Sequence, residues 1–283
     1  MNGMIRLARC ARLFLLIGMA APVVLSQMSR SGGQQATPQS SGVDSLQTQL
    51  HSLTDVQTSA EGMDKREFAD YKRFYNENAE PAKEIELGKA FLQKYPKSSL
   101  REAVDAGLVN AYIDRQDWPD VYSTADSALS LKPDDVDVLT TVGWVIPRVY
   151  HPDDADADAL LTKAETYEKH ALDVLHTMPK PSNVNDEQFA KLKAQKALQA
   201  HSALGLVYFR RDDYDGSAKE LRQAVQDNQN ADPADLFVLG VDLQNLKRLS
   251  EAADVFARCA AMQSNLQERC KESADAAKKE TSQ

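Results

Sequence analysis

The amino-acid sequence predicts an all-α protein built from repeated helix pairs, and two observations support that prediction. Ala, Leu, Lys and Gln, which favour helices, are plentiful, whereas the β-branched residues Val and Ile are comparatively few. In addition, a pattern of large and small residues recurs with constant internal spacing, which is typical of repeat proteins. The chain of 283 residues is long enough for one large domain or two small ones, each with its own core.

The repeated pattern extends over two successive helices, with large and small residues at fixed offsets. Three copies share their spacing: Leu108, Val109, Tyr112, Val121, Ala125 and Ala128; Leu204, Gly205, Tyr208, Ser217, Leu221 and Ala224; and Leu239, Gly240, Leu243, Ala252, Phe256 and Cys259. Antiparallel helices approach closely where small residues meet, so we expect Gly205 to face Ser217. Gly240 is expected to face Ala252 in the same way. One pair cannot cover its own apolar face, and successive pairs should therefore stack around a shared core.

This pattern resembles the tetratricopeptide repeat (TPR), whose unit is about 34 residues long. The resemblance covers residues 64–275 of the chain. It implies a TPR helix-turn-helix solenoid of about five helix pairs with a C-terminal capping helix. A divergent first pair is expected in segments 64–76 and 85–95, and the capping helix is expected in 265–279.

One helix pair departs from the regular pattern. Its helices are expected at 139–146 and 160–175, and they are separated by a proline-containing insertion of about 147–159. Prolines also predict a loop at 178–185. The next helix is expected to begin early, near Asp186, and to run long.

The N-terminus has the layout of a secretory signal peptide. A basic region with three arginines precedes an apolar run at 13–25, and the small residue Ser26 follows it. We predict a cleaved signal peptide over 1–26, a flexible Ser-, Gln- and Gly-rich spacer over 27–62, and a folded solenoid over 63–279. The alternative is an uncleaved anchor, which is disfavoured because a membrane-spanning helix needs about 20 apolar residues.

Charge and cysteine content limit the partners and the compartment. The formal net charge of -9 repels phosphate backbones, so no nucleic acid is expected as a partner. Membrane contact is expected only through an uncleaved signal segment. Removal of the signal leaves Cys259 and Cys270, and an even number in an exported chain favours a disulfide. The alternative is two separately buried thiols. A periplasmic or secreted location follows.

Sequence motifs predict neither catalysis nor a cofactor. The chain contains no His-Glu-x-x-His motif, no Gly-rich phosphate loop and no Gly-x-Ser-x-Gly elbow. Four acidic residues have the spacing of an EF-hand-like calcium loop: Asp154, Asp156, Asp158 and Glu165. However, Ala159 occupies the position where such a loop needs Gly. We therefore expect no metal and interpret these residues as an acidic first turn that stabilises a helix N-terminus, with calcium binding as the alternative.

The resemblance also implies a partner-binding groove. In TPR solenoids the first helix of each pair lines a concave face, which here would carry Asn110, Trp144, Phe209, Arg210, Phe237, Gln244 and Asn245. Aromatic side chains beside arginine and amide groups suit an extended peptide or a partner protein. The alternative is that several of them pack between neighbouring repeats.

The resemblance does not extend to the TPR subfamily that clamps a C-terminal carboxylate. The leading lysines of that clamp correspond to Ala106, Ser202 and Phe237 in this chain, and Asn110 alone matches. The sequence thus predicts a non-catalytic interaction scaffold of the bacterial envelope. The alternatives are a ligand- or calcium-binding accessory module and a membrane-anchored structural component of an envelope assembly.

Overall fold

A computed structural model describes residues 64–282 except 78–79, 183, 227 and 229. Within these residues every regular element is a helix, which confirms the all-α class. The helices are α1 (Lys65–Tyr75), α2 (Pro81–Lys94), α3 (Arg101–Asp114), α4 (Trp118–Leu131), α5 (Val136–Val149), α6 (Ala157–Thr177), α7 (Asp186–Arg210), α8 (Tyr214–Val225), α9 (Pro233–Asn245), α10 (Leu249–Ala260) and α11 (Gln267–Thr281). The expected signal peptide and spacer lie outside the described residues.

Side-chain caps explain where many of these helices begin. Five side chains accept hydrogen bonds from backbone N–H groups of the first helical turn: Asp64, Asp135, Asn185, Asp213 and Asp232. These N–H groups have no partner within the helix, so a cap of this kind stabilises the helix by about 1 kcal/mol.

The helices pack as pairs whose first members form a layer. Each even-numbered helix contacts the odd-numbered helix before it, and α11 packs against α10. In addition, each odd-numbered helix from α1 to α7 contacts the next odd-numbered helix. We call α1, α3, α5, α7 and α9 the odd layer. Within it, Thr140 lies beside Lys196, and Pro147 lies beside Arg210 further along both helices, so α5 and α7 run in the same direction.

Three helix pairs turn with the same backbone geometry. Gln116, Asp212 and Lys247 occupy equivalent positions between the two helices of their pairs, and their φ angles are 57°, 58° and 61°. In each turn the following N–H donates to the carbonyl five residues earlier, at 3.0, 3.0 and 2.8 Å. This bond is typical of a helix C-terminus that is followed by one residue in the left-handed conformation. The same three pairs carry the regular sequence pattern, so their likeness extends from sequence to backbone.

Glycines mark where the helices of a pair cross, although their neighbours differ from those expected. A Cβ atom at Gly205 would collide with Leu221, and one at Gly240 would collide with Phe256. The expected neighbours were Ser217 and Ala252, which lie one turn earlier on the second helix. The larger residues face the glycines because the missing Cβ leaves room for a bulky side chain.

The insertion in the irregular pair is shorter than expected. Helix α5 continues through Pro147 to Val149, and α6 begins at Ala157. Proline removes one backbone hydrogen bond, but guanidinium groups satisfy carbonyls near the end of this helix. Arg148 donates to the Trp144 carbonyl over 3.0 Å, and Arg210 donates to the Pro147 carbonyl over 3.0 Å.

Two other expectations around α7 are confirmed. The described residues of 178–185 contain no helix, and α7 begins at Asp186. The Asn185 side chain accepts from the Gln188 N–H group over 2.8 Å, which fixes this start.

The C-terminal helix α11 is tied to α10 at one end. The Sγ atoms of Cys259 and Cys270 are 1.93 Å apart, a disulfide distance, and their Cα atoms are 5.7 Å apart. Only small side chains of α11 are buried, namely Cys270, Ala274 and Ala277. The covalent link therefore adds to the packing of these small side chains against α10.

Candidate partner-binding face

The exposed side of the odd layer carries polar residues at one repeated position. This position lies five residues after Val109, Gly143, Gly205 and Gly240, which are equivalent in the repeat, and the residues that occupy it form what we call the polar row: Asp114, Arg148, Arg210 and Asn245. They lie on α3, α5, α7 and α9. These helices are successive members of the layer, and repulsion between Arg148 and Arg210 indicates that these two members of the row lie near each other.

Arg148 is the centre of a buried ionic network. Its Nη2 atom donates to Ser202 Oγ over 2.8 Å and lies 3.5 Å from Asp235 Oδ1 and 4.0 Å from Asp232 Oδ2. Ser202 in turn donates to Asp235 over 2.9 Å. The guanidinium carbon lies 3.7 Å from the centroid of the Trp144 ring, which is partly exposed. The result is a rigid arginine–tryptophan platform at the surface of α5.

Burial shapes the electrostatics of this network. Desolvation lowers the pKa of Arg148, and the carboxylates of Asp235 and Asp232 oppose that effect. Burial raises the pKa of Asp235 to about 7, and repulsion from Asp232 adds to the rise. Arg148 therefore has one carboxylate partner on α9, Asp235, and one at its N-cap, Asp232, and these partners balance its positive charge within the protein.

Arg210 occupies the equivalent position on α7 in a different environment. Its Nε atom donates to the Pro147 carbonyl over 3.0 Å, and its guanidinium carbon lies 5.3 Å from the Tyr150 ring centroid. Burial, helped by repulsion from Arg148, lowers its pKa to about 10. Among the described residues no carboxylate lies within ion-pair distance of this guanidinium.

Most of the residues predicted for the groove lie at the surface of the odd layer. Asn110 and Asn245 are exposed, and each donates to a backbone carbonyl one turn earlier in its own helix. Trp144, Arg210 and Gln244 are partly exposed. These five side chains are accessible to a partner.

The structure corrects the prediction for two aromatic residues. Phe209 and Phe237 are each only 7% exposed, so they belong to the core rather than to a groove. Phe209 packs against Tyr214 with ring centroids 6.2 Å apart, and Phe237 packs against Phe256 at 5.7 Å. Arg269 of α11 also covers Phe237, with its guanidinium carbon 5.4 Å from the ring centroid.

Sequence reasoning missed Arg148. Pro147 suggested that the helix ended before this residue, so Arg148 fell in the expected insertion. One signal could have identified it: Arg148 follows Gly143 by the same five residues that separate Arg210 from Gly205.

Two residues of the calcium-loop alternative lie far apart on one helix. Asp158 lies in the first turn of α6 and Glu165 two turns later. A rise of about 1.5 Å per residue separates them by roughly 10 Å along the helix, whereas all ligands of one calcium ion lie about 2.3–2.6 Å from it. The Glu165 carboxylate instead pairs with Lys169 over 2.6 Å and with Arg211. In the described part of the chain, no group of three or more His, Cys, Asp or Glu side chains is placed to hold a metal ion.

Comparisons with known proteins leave the interpretation to the structure. No protein-family model matches this chain, and no curated protein matches its sequence. Among the described helices, none combines the length and the apolar character that crossing a membrane would require.

Proposed function

We propose that this chain is an exported TPR protein that acts as a non-catalytic interaction scaffold in the bacterial envelope. It binds an extended segment of a partner protein along the exposed side of the odd layer. The alternatives retained from the sequence are an accessory ligand-binding module and an anchored structural component. No described contact favours either of them.

Support for the TPR assignment comes from the likeness between pairs. Three pairs share a left-handed turn residue and the same turn hydrogen bond. Gly143, Gly205 and Gly240 all face a larger side chain of the second helix in their pair. Contacts between successive odd-numbered helices are those expected when helix pairs stack as repeats.

The observation that carries the proposal is the pairing of Trp144 with Arg148 beside the polar row. Aromatic and arginine side chains are the usual energetic anchors of protein interfaces. A tryptophan held in place by a stacked guanidinium loses little side-chain entropy when a partner covers it. The amide side chains of Gln244 and Asn245 lie at the surface of α9, where they can bond to the backbone of an extended segment.

The proposed compartment rests on the cysteines. Disulfides persist in oxidising compartments such as the periplasm or the extracellular space. The sulfur atoms of Cys259 and Cys270 lie at disulfide distance, which supports an exported protein.

Site-specific photo-cross-linking in the native host tests the proposal. A photoreactive residue replaces Asn110, Trp144 or Asn245 on the odd layer, and matched controls carry it at Thr166 of α6 or Gln223 of α8, which are also exposed. We expect one discrete adduct from the odd-layer positions and none from the controls. Adducts only from Thr166 or Gln223, or none from any position, would contradict the proposed face.

A further inference from the structure

Arg210 differs from the neighbouring arginines because nothing in the described residues neutralises its charge. Arg148 has Asp235 and Asp232, Arg211 pairs with Glu165, and Arg222 lies 3.1 Å from Glu251. Arg210 makes only the bond to the Pro147 carbonyl and the contact with the Tyr150 ring. Repulsion from Arg148, a charge of the same sign, lowers its pKa further.

The guanidinium is held in one orientation with its outer edge open. The bond from Nε to the Pro147 carbonyl and the Tyr150 ring fix its inner side. The two terminal nitrogens make no hydrogen bond within the described residues, and neither is fully buried. They therefore present two parallel N–H donors to solvent from a partly buried, fixed base.

An unpaired cation in a partly desolvated position costs free energy that a bound anion would offset. The fork formed by the two nitrogens matches the two oxygens of a carboxylate. A carboxylate carries one negative charge, which a single arginine can balance. Phosphate carries more charge and is usually bound by several cations, whereas Arg148 is the one cation among the described residues that affects the pKa of Arg210, and Asp235 and Asp232 already partner it.

We infer that Arg210 binds the side-chain carboxylate of an Asp or Glu residue in the partner segment. This inference rests on the proposed function, because it concerns the same face and adds the chemistry of the partner. The remaining contacts of the segment would come from Trp144 on α5 and from Gln244 and Asn245 on α9. An acidic residue at one fixed place in the segment is thus the recognition feature.

Selection of displayed random linear peptides against the full chain tests the inference. The peptides are fused at their C-termini, so any acidic preference comes from side chains. Wild-type protein is compared with Arg210→Gln and with Arg222→Gln, which removes the same charge from an exposed pair on α8. We expect one fixed Asp or Glu in peptides selected by wild type and Arg222→Gln, and no such position with Arg210→Gln.

Affinity measurements with the selected peptide that binds most tightly test the contact between Arg210 and the carboxylate directly. Exchanging its fixed Glu for Gln, or Arg210 for Gln, should weaken binding by about tenfold or more, and the two changes together should add little further loss. Arg210→Lys should retain part of the affinity, and equal melting temperatures confirm that the variants are folded. Acetate and inorganic phosphate serve as competitors. Phosphate that displaces the peptide at much lower concentration than acetate would assign the site to phosphate and overturn the carboxylate assignment.

The inference and the proposed function fail in different ways. Selected peptides without a fixed acidic position, or an unchanged preference in Arg210→Gln, overturn the inference alone if odd-layer cross-links still form. A chain that selects no peptides and forms no odd-layer cross-links overturns both.

Discussion

The helix crossing in α5–α6 differs from those in α7–α8 and α9–α10 at the position on the second helix that faces the glycine of the first helix. Leu221 and Phe256 fill it in the two C-terminal pairs, where each is fully buried against a glycine. Glu168 fills it in α5–α6, equally buried against Gly143. Neither carboxylate oxygen of Glu168 has a hydrogen-bond partner among the described residues. Burial raises its pKa well above the ordinary value, although Arg148 and Lys196 oppose the rise.

The difference shows that the side chain at this position can stabilise or destabilise the fold, depending on whether it is apolar or polar. Full burial of a leucine or phenylalanine side chain stabilises by about 1.5–3 kcal/mol, whereas a buried polar group without a partner costs about 1–3 kcal/mol. The α5–α6 pair therefore carries a cost next to the residues proposed to bind a partner. Regions that serve binding are often less stable than the rest of a fold.

The largest effect is expected at the apolar crossing of α9–α10. Phe256→Ala removes a fully buried ring that packs against Gly240 and Phe237, and we expect a loss of about 3–5 kcal/mol in the free energy of unfolding. Urea unfolding followed by circular dichroism measures it. Phe189→Ala, at a partly exposed position of α7, is the control and should cost much less. A similar small loss for both variants would show that this crossing contributes little.

The next effect concerns the link between α10 and α11. Cys259 and Cys270 are 11 residues apart in sequence, and closing a loop of this size stabilises by about 3 kcal/mol in the chain-entropy model. Reduction should lower the free energy of unfolding and speed hydrogen exchange in α11, while α5 and α6 exchange at their former rates. Reductant should not affect the double variant with serine at both positions. Faster hydrogen exchange in α5–α6 rather than in α11 would contradict the expectation that the disulfide stabilises α11 without affecting α5 and α6.

A third prediction concerns Asp242, a buried carboxyl that, unlike Glu168, has a hydrogen-bond partner. Ser217 donates to Asp242 over 2.6 Å, but burial still raises the pKa of Asp242 to about 8. The folded state thus holds this proton more tightly than the unfolded chain, so the stability falls as the pH rises above the ordinary pKa of 3.8 towards the folded value. Between about pH 6 and pH 9 this group should remove about 2–3 kcal/mol. Burial also raises the pKa of Asp235 to about 7, which acts in the same direction.

Urea unfolding across this pH range checks the sign and the source of the effect. Asp242→Asn keeps an oxygen that can accept from Ser217 but removes the titration, so its stability should depend less on pH than that of wild type. Asp254→Asn, at an exposed position of α10, is the control. Equal pH dependence in wild type and Asp242→Asn would show that Asp242 is not the source.

The parts of the fold that the sequence predicted depend on local rules. Helix propensity and the repeated spacing predicted the class, and prolines predicted the loop at 178–185, after which α7 was expected to begin near Asp186. The asparagine cap at Asn185 and the loop prolines lie next to the features they determine, so both could be inferred directly from sequence.

The parts that sequence reasoning missed depend on contacts between distant residues. Helix α5 continues past Pro147, and guanidinium groups bond to two of its last carbonyls; one of these groups belongs to Arg210, 63 residues away. The partners Arg148 and Asp235 are 87 residues apart. Phe209 was expected at the surface, but the ring of Tyr214 on the next helix covers it. Local spacing contains no information about such pairings.

The smallest effect is also the most direct test of the comparison between crossings. Glu168→Met replaces the carboxyl by an apolar group of similar length, so α5–α6 would acquire a crossing like the other two. We expect a gain of about 1–2 kcal/mol in the free energy of unfolding near neutral pH, because an unsatisfied polar group is removed from the core. Leu221→Met is the matched control and should cost less than about 1.5 kcal/mol.

The sign of the change in Glu168→Met separates two roles for this carboxyl. A stabilised variant whose peptide affinity is unchanged would mean that Glu168 is a local cost unrelated to binding. A stabilised variant with weaker peptide binding would link that cost to the proposed partner-binding face, since Glu168 lies close enough to Arg148 to raise its pKa. A destabilised variant would contradict the comparison, because it would show that Glu168 gains more from Arg148 and Lys196 than its burial costs.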